Sequence, residues 1–154
     1  MPIKSFQGAR VTPKRSLAKN LVVKDIMTKN LITFTSDQTI HEVMKSFIKF
    51  KVSGGPVVDK YGNLIGVVSE ADCMKEISES RYFNLPILDK SVTEFMTKKV
   101  DTIQASTSIF DAASFFSKTG RRRFPVIDKK RLVGQVSRKD IVIAALNLKS
   151  QTWR

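Results

Sequence analysis

The chain repeats itself. Slid along its own length by 69 positions, Asp25-Ile26-Met27-Thr28-Lys29 falls on Glu94-Phe95-Met96-Thr97-Lys98, Thr39-Ile40 on Ser108-Ile109, and Pro56-Val57-Val58-Asp59 on Pro125-Val126-Ile127-Asp128. After a one-residue deletion in a turn, Leu64-Ile65-Gly66-Val67-Val68-Ser69-Glu70-Ala71-Asp72 falls on Leu132-Val133-Gly134-Gln135-Val136-Ser137-Arg138-Lys139-Asp140. Four matches in one order at nearly one offset mark an internal duplication. A unit of about 60 residues is marginal alone, so the two copies are expected to fold as a pair and bury their sheets against each other.

Each copy reads as β-α-β-β-α. Thr39 and Ser108 open helices, because Ile40, Val43, Met44, Phe47 and Ile48 recur at helical spacing, as do Ile109, Ala112, Ala113 and Phe116. Pro56-Val57-Val58 and Leu64-Ile65-Gly66-Val67-Val68 flank a turn that ends on Gly62-Asn63, which predicts a hairpin; the second copy turns through Asp128-Lys129-Lys130-Arg131. Ser69 and Ser137 then start helices running to about Ile77 and Leu146. The expected organisation is a basic segment over 1–20, repeat one over 21–80, a linker over 81–90, repeat two over 91–147 and a tail over 148–154. Residues 79–90, which contain Arg81, Tyr82, Phe83, Asn84, Leu85 and Pro86, link the copies and are read as a cover over one cleft.

Composition narrows the setting. No run of 18 apolar residues exists, so a membrane span is not expected. With one cysteine, Cys73, no internal disulfide can form, and the expected location is the cytoplasm. The net charge is +13, unevenly spread: residues 1–20 carry five bases and no acid, 21–80 are near neutral at −1, and 81–154 hold +9. Such a field attracts polyanions.

The stretches Asp25-Ile26-Met27-Thr28, Gly54-Gly55-Pro56-Val57-Val58-Asp59 and Gly66-Val67-Val68-Ser69-Glu70-Ala71-Asp72, with their counterparts in the second copy, resemble the pattern of a cystathionine β-synthase (CBS) repeat. Two such repeats resemble a Bateman module. That resemblance implies an α+β (α/β) fold of two tandem β-α-β-β-α repeats with pseudo-twofold symmetry, packed through their sheets, whose two clefts bind adenosine-containing ligands. It covers roughly residues 21–147.

The strongest chemical signal is Gly-x-x-Ser-x-x-Asp, present as Gly66, Ser69, Asp72 and again as Gly134, Ser137, Asp140. Glycine permits a close approach, here assigned to a ligand. A carboxylate one turn into a helix can accept two hydrogen bonds from vicinal ribose hydroxyls. The serine and the helix N-terminus suit a phosphate. The plainer reading is that both serines are caps and both aspartates first-turn acids.

The resemblance implies that each cleft draws on both repeats. The first would join Ser137, Lys139 and Asp140 to Val52, Ser53, Gly54 and Thr33 or Thr35, with small residues at 53–55 leaving space for an adenine ring. The second would join Ser69 and Asp72 to Thr102, Arg121, Arg122, Arg123 and Phe124. Consecutive arginines offer planar donors for phosphate, although an exposed basic turn explains them equally simply.

Catalysis is not expected. His41, read as a surface helix residue, is the only histidine and Cys73 the only cysteine, which leaves no multi-histidine or cysteine-rich zinc site, and no phosphate-binding loop ending in Gly-Lys-Ser/Thr occurs. The resemblance implies that no cofactor is required and that an adenine nucleotide (AMP, ADP or ATP) or S-adenosylmethionine is the regulatory ligand. The expected partners are that small molecule, a second copy in a homodimer and an unidentified effector protein. The alternative is a nucleic-acid-binding or ligand-free interaction module using the basic surface, for which the sequence offers no helix-turn-helix and no patch of interleaved aromatic and basic residues.

Overall fold

The structure is a computed structural model and describes residues 21–83 and 89–152, with side chains over 21–80 and 89–148. The basic segment 1–20, residues 84–88 of the expected cover and the end of the tail lie outside the described residues. In chain order the elements are α1 (Val23–Ile26), β1 (Phe34–Thr35), α2 (Ile40–Phe50), β2 (Gly54–Val58), β3 (Leu64–Ser69), α3 (Glu70–Phe83), α4 (Val92–Phe95), β4 (Ile103–Gln104), α5 (Ile109–Thr119), β5 (Arg123–Asp128), β6 (Arg131–Ser137) and α6 (Arg138–Thr152).

Each repeat supplies one three-stranded sheet, β1-β2-β3 and β4-β5-β6, the first strand of each lying parallel to the second. The expected helix starts are borne out: Glu42 N donates to Thr39 Oγ1 at 3.3 Å and Asp111 N to Ser108 Oγ at 3.1 Å. α3 and α6 run past Ile77 and Leu146, because no glycine or proline interrupts either until Pro86 or the chain end. Among the described residues no helix is long and apolar enough to cross a membrane.

The compact units do not follow the repeats. One, the first unit, holds residues 30–101 and 129–132; the second holds 21–29, 102–128 and 133–152. The core of the first is Phe34, Ile40, Val43, Phe47, Val57, Val68 and Cys73 of repeat one, closed by Val92 and Phe95 of repeat two. That of the second is built on Ile109, Ala112, Phe116, Phe124, Val126, Val136 and Ile141 of repeat two, with Val23 of repeat one. Each repeat thus lends its opening helix to the other repeat's sheet. These one-turn helices hold because their acids reach back: Val22 N donates to Asp25 Oδ2 and Ser91 N to Glu94 Oε2, both at 3.0 Å.

The repeated glycines make this exchange possible. Thr97 and Val67 exchange two backbone hydrogen bonds (2.8 and 2.9 Å), as do Thr28 and Gln135 (2.9 Å each). A Cβ at Gly66 would lie 2.7 Å from Met96 Sδ and 2.8 Å from Thr97 O; one at Gly134 would lie 2.6 Å from Met27 Sδ and 2.8 Å from Thr28 O. The close approach that the sequence assigns to a ligand is therefore made to the chain itself, by the Asp-Ile-Met-Thr and Glu-Phe-Met-Thr segments.

Candidate functional site

Each Ser-x-x-Asp turn forms a reciprocal cap at the start of the helix that follows its sheet. In the first unit, Ser69 N and Ser69 Oγ donate to Asp72 Oδ2 at 2.9 and 3.1 Å, and Asp72 N donates back to Ser69 Oγ at 3.3 Å. In the second, Ser137 N donates to Asp140 Oδ2 at 2.8 Å and Asp140 N to Ser137 Oγ at 3.1 Å. One carboxylate oxygen in each copy thus serves the helix, as the plainer reading requires, while all four residues stay half-buried rather than sealed in the core.

The second oxygen separates the copies. Asp72 Oδ1 accepts the Thr97 hydroxyl at 3.2 Å. Among the described residues, Asp140 Oδ1 accepts no hydrogen bond.

Both units bring the loop before their second strand against the cap. Glu70 N donates to Ser53 O at 2.9 Å, and Gly54 pairs with Ser69. A Cβ on Gly54 would meet Val68 O at 2.7 Å, so a larger residue there would need the neighbouring strand to shift. Arg138 N donates equivalently to Arg122 O at 3.0 Å in the second unit. The first rim therefore carries Ser53, Gly54 and Glu70 where the second carries Arg122, Arg123 and Arg138, with exposed Lys139 beside them. An open hollow of about 400 Å³ beside the first rim is lined by Phe47, Ile48, Lys51, Val52, Ser53 and Glu70.

The remaining expected residues are placed as follows. Thr33 and Thr35 are exposed around β1, where Thr35 Oγ1 donates to Asp37 and Thr35 N to Gln38 Oε1 at 2.9 Å. Thr102 is half-buried, and Arg121, Arg122 and Arg123 are exposed. Phe124 is fully buried, its ring 4.7 Å from that of Phe115 and 4.6 Å from that of Phe116, so its side chain is spent on packing. His41 is exposed on α2, as expected. Next to the first cap, burial and then the charges of Asp72, Glu70 and Glu76 push the Cys73 thiol up to about 11, which keeps it protonated and without nucleophilic strength.

The sequence reading does not single out Glu76 and Lys90. Glu76 is buried, and its Oε2 accepts Lys90 Nζ at 2.6 Å. Only an acid on the core side of α3 hints at this, and the lysine lies 14 residues away.

Two β-α-β-β-α repeats, each ending in a Ser-x-x-Asp cap, define a paired CBS-repeat protein. The CBS domain family model matches residues 23–79 and 92–147, and the chain belongs to that family. It is 30% identical over 155 residues to the uncharacterized protein MJ1426 of Methanocaldococcus jannaschii, covering 82% of this chain and 92% of that one. Of two other relatives it spans only 22% and 39%. Among solved structures, CBSX2 of Arabidopsis thaliana in complex with AMP superposes with a TM-score of 0.70 at 31% identity, over 84% of this chain and 98% of that one. The CBS pair of protein MJ0100, in complex with 5′-methylthioadenosine and S-adenosyl-L-methionine, gives 0.60 at 31%, over 82% and 96%.

Proposed function

We propose that this chain is a regulatory sensor of an adenosine-containing ligand and catalyses no reaction itself. The observation that carries the reading is the same Ser-x-x-Asp cap built twice, each time half-buried and each time beside the loop that precedes the second strand. A carboxylate held at a helix start can accept paired ribose hydroxyls, while the positive end of the helix dipole and nearby cations favour phosphate. Asp140 is the ribose acceptor in this reading, Asp72 takes the same role when a ribose hydroxyl displaces that of Thr97 from its Oδ1, and Arg122, Arg123, Arg138 and Lys139 meet the phosphates. The bound AMP and S-adenosyl-L-methionine of the two superposed structures support an adenosine ligand. No cofactor is needed, and the signal passes in the cytoplasm to a partner protein. A homodimer follows from the exposed Val142, Ile143 and Leu146 along α6, and sedimentation would report it.

The test is titration calorimetry with AMP, ADP, ATP, S-adenosylmethionine and methylthioadenosine. At least one is expected to bind and to raise the melting temperature. Asp140→Asn retains an oxygen for the cap but loses the carboxylate, and is expected to weaken binding at least tenfold, the worth of roughly 1.4 kcal/mol from charged hydrogen bonds. Silence across the panel, or full affinity in Asp140→Asn and Asp72→Asn together, would overturn the proposal.

A further inference from the structure

The hairpin turns lie at the opposite end of the strands from the caps: in the first sheet Val58 pairs with Leu64 at one end and Gly54 with Ser69 at the other. Within the first unit, residues 129–132 lie against the Asp59–Asn63 turn. Leu64 N donates to Lys130 O and Leu132 N to Gly62 O, both at 3.0 Å, and Asn63 bridges Arg131. The two turns, far apart in sequence, are thereby fastened into one knuckle.

That knuckle is basic and carries an exposed ring. Lys60, Lys129, Lys130 and Arg131 are all exposed, and Tyr61 keeps 65% of its surface in solvent with the Lys60 ammonium 5.1 Å from its ring centre. Its acid is Asp59, whose Oδ1 accepts Tyr61 N and Asn63 N, both at 2.9 Å; exposed Asp128 directly precedes Lys129 in the chain. Partial burial draws the Asp59 carboxyl up, but the backbone and side-chain hydrogen bonds of Asn63 and the N–H groups of Tyr61 and Gly62 outweigh it and hold it below its ordinary value. Asp59 is thus committed to its own turn. Among the described residues none of the four cations has a carboxylate partner.

We propose that this knuckle binds single-stranded nucleic acid without sequence preference, its four cations on consecutive phosphates and Tyr61 against a base. Cations alone would fit any polyanion. An aromatic face among them is what distinguishes a strand with bases from a lipid surface or an acidic protein, because every base has a face to stack. Tyr61 and Lys60 share a turn with the 129–131 cations at hand only because the backbones of 62–64 and 130–132 pair. It is independent of the adenosine reading, since it uses neither cap.

Anisotropy of a labelled 20-nucleotide oligo-dU, titrated with the full chain over a range of salt, tests it. Tyr61→Ala is expected to weaken binding about tenfold with the salt slope kept, since stacking carries no counterion. Lys129→Ala/Lys130→Ala/Arg131→Ala is expected to lower the log–log salt slope by about 2, three phosphates at roughly 0.7 each. All four positions are exposed, and unchanged melting curves show that the variants fold. If Tyr61→Ala binds as the parent does, or the triple variant retains the full slope, the charge lies elsewhere and the proposal fails. Equal competition by inorganic polyphosphate or phosphatidylserine vesicles, at matched phosphate, would likewise overturn it in favour of a generic polyanion surface.

Discussion

The two units solve one folding problem with different side chains. At the position where the first unit ties Lys90 to the buried Glu76, the second has Leu21 packed against its core and Ala144 within it. The backbone there is equivalent, with Ile40 N donating to Lys90 O at 2.9 Å and Ile109 N to Leu21 O at 3.2 Å. The rims diverge too, Ser53, Gly54 and Glu70 against Arg122, Arg123 and Arg138, as do the caps, Asp72 tied to Thr97 and Asp140 with an oxygen to spare. What the duplication preserved is the set of contacts that backbone geometry demands. What differs is charge, which the fold tolerates.

The largest effects should strike what the units share. Gly66→Ala and Gly134→Ala each drive a methyl onto a backbone carbonyl and a methionine sulfur, and each is expected to cost about 2–3 kcal/mol in urea unfolding. A neutral result in one unit would show that its exchanged segment can shift, breaking the equivalence.

Lys90→Leu comes next. It strands a buried carboxylate and should cost about 1–2 kcal/mol, whereas Lys90→Leu with Glu76→Ala, which copies the second unit, should restore most of the loss. The pH dependence sharpens this. The hydrogen bond to Glu76 raises the Lys90 pKa above its ordinary 10.5, so the stabilisation is complete below that value and disappears as pH rises through the folded-state pKa. The parent should lose stability in that alkaline window, and the double variant should not.

The smallest difference is expected at the caps. Thr97→Val removes the hydroxyl from Asp72 Oδ1 and should cost about 0.5–1 kcal/mol, while Thr28→Val, which breaks no such bond, should cost less. Equal effects from the two would erase the asymmetry between the caps.

Much of this was legible beforehand. The repeat, the hairpins, the helix starts at Thr39 and Ser108 and the Ser-x-x-Asp pairs depend on residues a few positions apart, and local chemistry encodes them. The helix ends were less so, since nothing local stops α3 at Ile77. The purpose of Gly66 and Gly134 was misread because the atoms that need their space, Met96 and Met27, sit in a distant segment.

The sequence by itself determined that the chain is a duplicated α+β module with two acidic caps, because periodicity and capping are short-range. Only the tertiary structure decided that each opening helix completes the other repeat's core, that Glu76 meets Lys90, and that the turn carrying Lys60 and Tyr61 pairs with residues 130–132. Those pairings join residues remote along the chain, and they are chosen by which buried surfaces fit, a condition that no local pattern records.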